Sequence, residues 1–304
     1  MIINCHQYPL RGKLKQRQRK NTIMDKLSPE QIKFYHDKGY LVIGQLIDFE
    51  SLYTYKKRFL QICNGLVPKG TMTIAKEPKL KESSNNPEDY VNKIQDFLCD
   101  DVLVTYVEDP RLFRIVSQFI GDDIRGMHSM LINKPPGTDE HPPHQDLYYF
   151  PFRPADKIIA SWTAIDVVTY ENGCLYVVPG SHKQQKLYAH DYTSIDNKMY
   201  HGILDPTAAL ETDRVHLEMN PGDTVFFHPY LIHGSRPNVS KNYRKSISCH
   251  FASSDVTYID VQGTVQDVIA KEVVQEAKRR GFEASFADVW KYKSVPIKPI
   301  KSHL

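Results

Sequence analysis

The stretch HPPHQDLYYF, residues 141–150, contains residue types that bind metals, and it could be a metal site or a polar turn before a strand. Within it His144 and Asp146 form a His-x-Asp pair. Residues two apart on a strand point to the same side, so both side chains could bind one ion. Iron sites built from two histidines and one carboxylate leave positions open for oxygen and a co-substrate. One such pair is weak evidence by itself, so the interpretation depends on further residues.

Two residues downstream could supply the missing parts. His233, in LIHGS, is the candidate third ligand, and Arg244 follows it on the next predicted strand. A guanidinium binds a carboxylate with two parallel hydrogen bonds, contributing roughly 1.5–3 kcal/mol when charge-assisted. Arg244 could therefore hold the far end of a dicarboxylate co-substrate while its keto-acid end binds iron.

Two alternatives compete with this choice of ligands. His216 and Glu218 have the same spacing in RVHLEM, although an exposed or satisfied strand histidine is the simpler interpretation. His228 lies five residues before His233, and Pro229 between them makes a shared direction unfavourable. We prefer His233 because a glycine and a serine follow it.

The elements that must position these residues fall into a helical part and a strand-rich part. Ser28 and Gln31 have the spacing of a capping box around Pro29, and Gly39 ends that helix. Further helices are predicted at residues 51–63, 109–121 and about 266–281. Residues 64–90 are rich in Lys, Pro, Ser and Asn, which predicts a long mobile loop.

Short strands separated by turn signals dominate the chain after Gly121. They are predicted at residues 126–134, 147–150, 158–168, 174–180, 214–219, 224–227 and 243–251. Such a run with flanking helices predicts a mainly β fold, a barrel or jelly roll with helices packed outside.

The last of these strands, YRKSISCHF, has one polar and one mostly apolar face. The polar face carries Arg244, Ser246, Ser248 and His250, and the other carries Lys245, Ile247, Cys249 and Phe251. The apolar face usually points inward, but a barrel with helices outside and a polar ligand inside would reverse this. The alternation by itself fits both arrangements.

Composition limits the class of protein. The 304 residues carry a net charge of +3, with 41% hydrophobic and 25% charged residues, which is typical of a soluble globular protein and argues against nucleic-acid binding. No apolar run is long enough to predict a membrane span. The five cysteines are widely spaced and form no CxxC pair, which argues against a disulfide scaffold or a zinc finger.

The domain organisation predicted from these features is simple. Residues 1–24 form a basic extension that we expect to be disordered, and residues 25–301 form one domain. Residues 302–304, Ser-His-Leu, resemble the Ser-Lys-Leu peroxisomal address.

Four longer segments, HQDLYYFPFRP, NGCLYVVPGSH, GDTVFFHPYLIHGS and YRKSISCHFAS, resemble the phytanoyl-CoA dioxygenase family. The resemblance extends from about Leu27 to the last helix. It implies a double-stranded β-helix of the cupin-like type, with His144, Asp146 and His233 as iron ligands. It also implies a 2-oxoglutarate site formed by Arg244, Ser235, Trp162, Lys93 and Met130. For the last three, the alternatives are a packing residue for Trp162, a solvated charge for Lys93 and a core residue for Met130.

The resemblance further implies a function. We expect an iron(II)- and 2-oxoglutarate-dependent dioxygenase that hydroxylates C2 of a 3-methyl-branched fatty acyl-CoA, phytanoyl-CoA, in peroxisomal fatty-acid α-oxidation. Its expected partners are this thioester, 2-oxoglutarate, O₂ and the peroxisomal import receptor, with ascorbate as a supporting reductant. Two alternatives stay open: the same chemistry on another small molecule, and a catalytically silent β-barrel that binds acyl-CoA or metal.

Overall fold

The computed structural model describes residues 26–192 and 200–298. Its helices are Pro29–Lys38 (α1), Phe49–Cys63 (α2), Pro78–Ser83 (α3), Pro87–Tyr90 (α4), Val104–Val107 (α5), Pro110–Ile120 (α6), Asp267–Arg279 (α7) and Phe286–Lys293 (α8). Its strands are Tyr40–Ile43 (β1), Thr73–Lys76 (β2), Val91–Gln95 (β3), Ile124–Lys134 (β4), His141–His144 (β5), Phe152–Arg153 (β6), Ile158–Ala164 (β7), Leu175–Val177 (β8), His190–Tyr192 (β9), His201–Ile203 (β10), Val215–Leu217 (β11), Thr224–Phe227 (β12), His233–Ser235 (β13), Arg244–Ser253 (β14), Thr257–Tyr258 (β15) and Val295–Pro296 (β16).

Two antiparallel sheets form the body of the protein. The larger has the order β1-β12-β7-β14-β4-β3-β2, with β16 beside β4, and the smaller has the order β11-β8-β13-β5. Trp162 and Val225 of the larger sheet share one apolar cluster with Val177 and Leu217 of the smaller, so the sheets face each other. The predicted mainly β fold with flanking helices, a double-stranded β-helix, is confirmed.

Helices cover the outer face of the larger sheet. Phe59 of α2 and Ile115 of α6 are fully buried in the same cluster as Ile94, Ile247 and Phe251 from the strands. Burial of these side chains away from water is the main stabilising term for this layer. Strand β14 is therefore buried on both sides along its whole length.

Packing on its two sides fixes the orientation of β14. Ile247, Cys249 and Phe251 pack toward the helices. Arg244, Ser248 and His250 line a pocket between the two sheets. The polar face thus points inward, the arrangement that the alternation of residues had left open.

The start of α1 follows its sequence signals. The Ser28 side chain accepts a hydrogen bond from the Gln31 backbone, and the Gln31 side chain accepts one from the Ser28 backbone. Gly39 ends α1 in the left-handed conformation. The predicted capping box is confirmed.

Two predictions of local structure are wrong. Residues 64–90 contain β2, α3 and α4 instead of one loop; these elements have at most six residues each, too few to show a periodic pattern. Residues 147–150, predicted as a strand, instead form the rest of a 3₁₀ turn over Asp146–Tyr149 and its capping residue Phe150. Strand β5 ends at His144, so strand alternation does not relate His144 to Asp146.

The predicted extension at residues 1–24 and the tail at residues 302–304 lie outside the described residues. Within the described ranges, no helix has both the length and the apolar character needed to cross a bilayer.

Candidate active site

Strand pairing brings the two histidines of the predicted triad together. β13 pairs with β5 so that His233 lies directly opposite His144, and β13 also pairs with β8 on its other side. The two imidazole centroids are 4.2 Å apart. A central strand of the smaller sheet thus connects residues that are far apart in sequence.

Asp146 completes the cluster. Its Oδ1 atom lies 3.6 Å from His144 Nε2 and 3.7 Å from His233 Nε2. All three side chains are buried, and their potential ligand atoms lie within 4.8 Å of one another. Two atoms that each bind one ion at about 2.1 Å and at right angles lie about 3 Å apart, so a small inward adjustment would let one cation bind all three.

Hydrogen bonds fix which imidazole nitrogens are free. The Nδ1–H groups of His144 and His233 donate to the carbonyl oxygens of Pro142 and Leu231, at 2.9 Å and 3.0 Å. Each Nε2 atom therefore keeps its lone pair and points toward Asp146, as a metal ligand requires. Burial and then the neighbouring His233 lower the pKa of His144 to about 3, which keeps its imidazole neutral.

Asp146 remains ionised in this setting. Burial acts to raise the pKa of Asp146, but the imidazoles of His250 and His233 outweigh it and hold this pKa well below the ordinary range. His250 Nε2 donates to Asp146 Oδ2 at 2.7 Å. Oδ1 thus stays directed at the two histidines, so one carboxylate oxygen has a structural partner and the other is available to a metal.

Gln145, between His144 and Asp146, fixes the backbone. It is fully buried, and its backbone N–H donates to His190 Nε2 at 3.0 Å. Its side-chain amide donates to the carbonyls of Lys186 and Tyr230 and accepts from the Tyr188 backbone. The segment that carries His144 and Asp146 is thereby attached to the loop that leads into β13.

A second glutamine holds the 3₁₀ turn that starts at Asp146. The Gln266 side chain, at the start of α7, donates to the carbonyls of Leu147, Tyr148 and Phe150, each at 3.0 Å. Arg153 donates to the other end of the same amide at 2.6 Å. This contact explains why the turn replaces the predicted strand: its carbonyls bond to a side chain instead of to a neighbouring strand.

The other five predicted site residues line the same pocket as the triad: Arg244, Ser235, Trp162, Lys93 and Met130. Arg244 is 2% exposed, and burial lowers its pKa to about 10. Its guanidinium carbon lies 5.4 Å from the Trp162 ring centroid. Met130 and Trp162 lie opposite Ser248 on either side of β14. The larger sheet thus positions these residues along one wall.

Lys93 is half-buried and lines the pocket. Its ammonium lies 5.0 Å from the centroid of the Tyr200 ring, and burial lowers its pKa to about 8. It lies on β3, which pairs with β4.

The rival histidines lie elsewhere. His216 Nε2 is 3.3 Å from Glu211, and His228 Nε2 is 3.0 Å from Asp156. Neither histidine lines the pocket that contains the triad.

Comparison with known proteins identifies the family. The phytanoyl-CoA dioxygenase (PhyH) family matches residues 35–246. "Phytanoyl-CoA dioxygenase, peroxisomal" of Rattus norvegicus is 44% identical over 283 residues, which cover 90% of this chain and 83% of the rat protein. The Homo sapiens protein of the same name is 44% identical over 289 residues, covering 91% and 85%. The chain belongs to the phytanoyl-CoA dioxygenase family.

Another relative agrees with this assignment. "Probable phytanoyl-CoA dioxygenase" of Caenorhabditis elegans is 43% identical over 300 residues, covering 91% of this chain and 95% of that protein. The predicted membership in the phytanoyl-CoA dioxygenase family is confirmed.

Solved structures support the fold. The non-heme alpha ketoglutarate dependent carbocyclase SnoK has a TM-score of 0.59 at 22% identity, covering 82% of this chain and 91% of SnoK. EctD from S. alaskensis, solved with 2-oxoglutarate and 5-hydroxyectoine, has a TM-score of 0.57 at 18% identity, covering 75% and 76%. At these low identities, the similarity shows a shared fold and nothing further.

Several residues that line the pocket were not predicted from the sequence. His141, Tyr200, Lys134 and His250 line it. The ring of His141 stacks on His144, with centroids 4.0 Å apart. His250 was on the polar face of β14 beside Arg244, which was a usable signal; nothing local to Lys134 or Tyr200 indicated a site.

Proposed function

We propose that this protein is an iron(II)- and 2-oxoglutarate-dependent dioxygenase that hydroxylates C2 of a 3-methyl-branched fatty acyl-CoA such as phytanoyl-CoA. The observation that carries the proposal is the buried cluster of His144, Asp146 and His233 in one pocket with Arg244. The names of the relatives at 43–44% identity support the substrate.

The three clustered side chains suit ferrous iron. Two neutral imidazoles and one carboxylate are the donor set of non-heme iron oxygenases. Bound iron would couple oxidative decarboxylation of 2-oxoglutarate to insertion of one oxygen atom into the substrate. His144 and His233 would supply Nε2 lone pairs, and Asp146 would supply one negative charge through Oδ1.

The remaining pocket residues would hold the co-substrate. Arg244 and Ser235 would bind its distal carboxylate, and Trp162, Lys93 and Met130, which line the same pocket, would form the walls of this site. The apolar side chains of Ile132, Leu175 and Phe227 also line the pocket. Such a lining excludes bulk water and strengthens charge interactions within the site.

The same chemistry on another small molecule is the main rival. A relative at 26% identity is named "Probable alpha-ketoglutarate-dependent hypophosphite dioxygenase", so substrates differ among more distant relatives. A catalytically silent binder is less favoured because the metal-ligating cluster and Arg244 are all present in one pocket.

Succinate release tests the proposal. The purified protein with iron(II), 2-oxoglutarate and ascorbate should release succinate with phytanoyl-CoA, and much less with free phytanic acid or a straight-chain thioester. His144→Ala should remove this turnover because one ligand is lost, whereas His216→Ala should retain it. Equal succinate release with all three compounds would contradict the proposed substrate, and full activity of His144→Ala would contradict the proposed site.

Two proposals concern the rest of the chain. We propose that residues 25–301 form one domain, supported by a main sheet whose strands run from Tyr40 to Pro296.

We also propose a peroxisomal location, supported by the names of the mammalian relatives. A fluorescent fusion with its tag at the N-terminus should colocalise with a peroxisomal marker and become diffuse when residues 302–304 are deleted; unchanged targeting would leave this tail without a role.

A further inference from the structure

Lys134 is a buried lysine beside the proposed carboxylate site. It is the last residue of β4, it is 4% exposed, and it lies opposite Arg244 in the β4–β14 ladder. Its ammonium donates to Ser235 Oγ at 3.0 Å. Lysine is rarely this buried without a partner of opposite charge, so a negatively charged partner is expected at this position.

Both cations have neutral partners in the described part of the chain. Arg244 donates to Ser246 Oγ at 3.2 Å and to the carbonyl of Gly173 at 3.0 Å, and its Nε–H has no partner there. Lys134 contacts the hydroxyl of Ser235. Two buried cations side by side are unfavourable unless an anion joins them.

The electrostatic surroundings of Lys134 favour the binding of an anion. Burial and then the charge of Arg244 lower the pKa of Lys134 well below its ordinary value. The carboxylates of Glu140 and Asp139 act in the opposite direction but do not offset these two effects. A bound carboxylate would favour the charged form of Lys134.

A single turn makes room for both cations. A Cβ atom at Gly173 would lie 2.7 Å from Lys134 Cδ, so the absent side chain leaves space for the lysine. The carbonyl of the same glycine accepts the hydrogen bond from Arg244. The φ angle of Gly173 is +94°, a conformation that glycine adopts without steric cost. The lysine is thus accommodated by the same backbone that orients the arginine.

We propose that Lys134 is a second cationic contact for the distal carboxylate of 2-oxoglutarate, acting with Arg244 and Ser235, and that it makes the site selective for dicarboxylates. This inference rests on the proposed role of Arg244 and is independent of the identity of the hydroxylated substrate. Lys134 and Arg244 would approach the carboxylate from neighbouring strands, with the Ser235 hydroxyl on β13 as a third donor.

Anaerobic calorimetry of the iron(II)-loaded protein tests the inference without turnover. The variant is Lys134→Met, which keeps the length of the side chain and removes its charge. The two ligands are 2-oxoglutarate and 2-oxopentanoate, which has a methyl group in place of the distal carboxylate. The expected result is a Kd for 2-oxoglutarate raised roughly 10- to 100-fold, with the Kd for 2-oxopentanoate changed less than about threefold.

Matched variants separate this role from a structural one. Lys57→Met, at an exposed position, should leave both Kd values unchanged. Arg244→Met should show the same selective loss as Lys134→Met if both cations bind one carboxylate. An unchanged Kd for 2-oxoglutarate in Lys134→Met, or an equal loss for both ligands, overturns the inference; 2-oxopentanoate binding also reports whether the variant has folded.

If only Arg244→Met selectively loses affinity for 2-oxoglutarate, the proposed role of the arginine stands and that of the lysine is wrong. If neither variant discriminates between the ligands, both roles are wrong. Succinate release with phytanoyl-CoA is a separate measurement, so failure of the substrate proposal would be seen independently.

Discussion

At the scale of single residues, the chemistry of the site depends on hydrogen bonds that its side chains make to other protein groups. His144 and His233 each use Nδ1 on a carbonyl two residues earlier, which leaves Nε2 free. His250 uses its Nε2–H on the outer oxygen of Asp146, and its own Nδ1 has no partner among the described residues. Such contacts would orient the three side chains of the candidate site toward a common ion.

Replacing His250 tests this orientation directly. His250→Phe should reduce the affinity for iron(II) by about 10- to 100-fold, because Asp146 loses the donor that holds its second oxygen. Anaerobic calorimetry measures the affinity. His250→Gln retains an N–H donor and should recover part of the loss, whereas His216→Phe should behave as wild type. An unaltered affinity in His250→Phe would show that the aspartate is oriented without it.

At the scale of elements, the site depends on where one strand ends and a turn begins. β5 stops at His144, and the 3₁₀ turn after Gln145 presents Asp146 to the histidine pair. The aromatic side chains Phe150, Phe152 and Trp290 pack beneath this turn with α7 and α8. Helices α7 and α8 therefore support the turn that carries Asp146, the proposed carboxylate ligand.

Gln266 should be essential to that support. Gln266→Met keeps the side-chain volume but removes a donor from three carbonyls. Those of Leu147 and Phe150 keep other donors, whereas that of Tyr148 has no other among the described residues, and we expect a loss of about 1–3 kcal/mol in the free energy of unfolding. Weaker iron(II) binding should accompany it. Gln275→Met, at an exposed position of the same helix, is the matched control. Urea unfolding curves that coincide for the two variants would contradict this role.

At the scale of the whole molecule, burial within the fold keeps several histidines neutral. Burial lowers the pKa of His144 to about 3 and those of His190 and His228 to about 4. In the unfolded chain these groups titrate near 6.5, so between about pH 3 and pH 6.5 the unfolded state binds more protons. The contribution of these neutral histidines to the free energy of unfolding is therefore fully present above pH 6.5. It is lost as the pH falls through this window.

The metal-free protein should show this dependence. Moving from pH 7.5 to pH 5.5 should lower the free energy of unfolding by at most about 1.4 kcal/mol for each such histidine. Urea unfolding at the two pH values measures the difference. Added iron(II) should offset part of the loss, because it binds the folded state. Equal unfolding free energies at pH 5.5 and pH 7.5 would show that these histidines titrate normally.

Part of this protein could be predicted from its sequence because the signals are local or lie in long motifs. The capping box at Ser28, the mainly β architecture and the types of residue needed for an iron site are examples. The family resemblance also indicated all eight residues that the structure brings into one pocket. By contrast, the short elements within residues 64–90 were missed, because four- and six-residue segments carry no periodicity.

Only the tertiary structure decided how distant residues meet. The polar face of β14 points inward because helices pack against Ile247 and Phe251 on the other face. The alternation of residues within β14 does not indicate which of its faces the helices cover. Lys134 and Ser235 are about one hundred positions apart, and their contact exists because β4 and β13 belong to facing sheets. The sequence by itself determined which side chains could bind a metal and a carboxylate; the pairing of strands decided that they share one pocket, because such contacts join segments that have no local pattern in common.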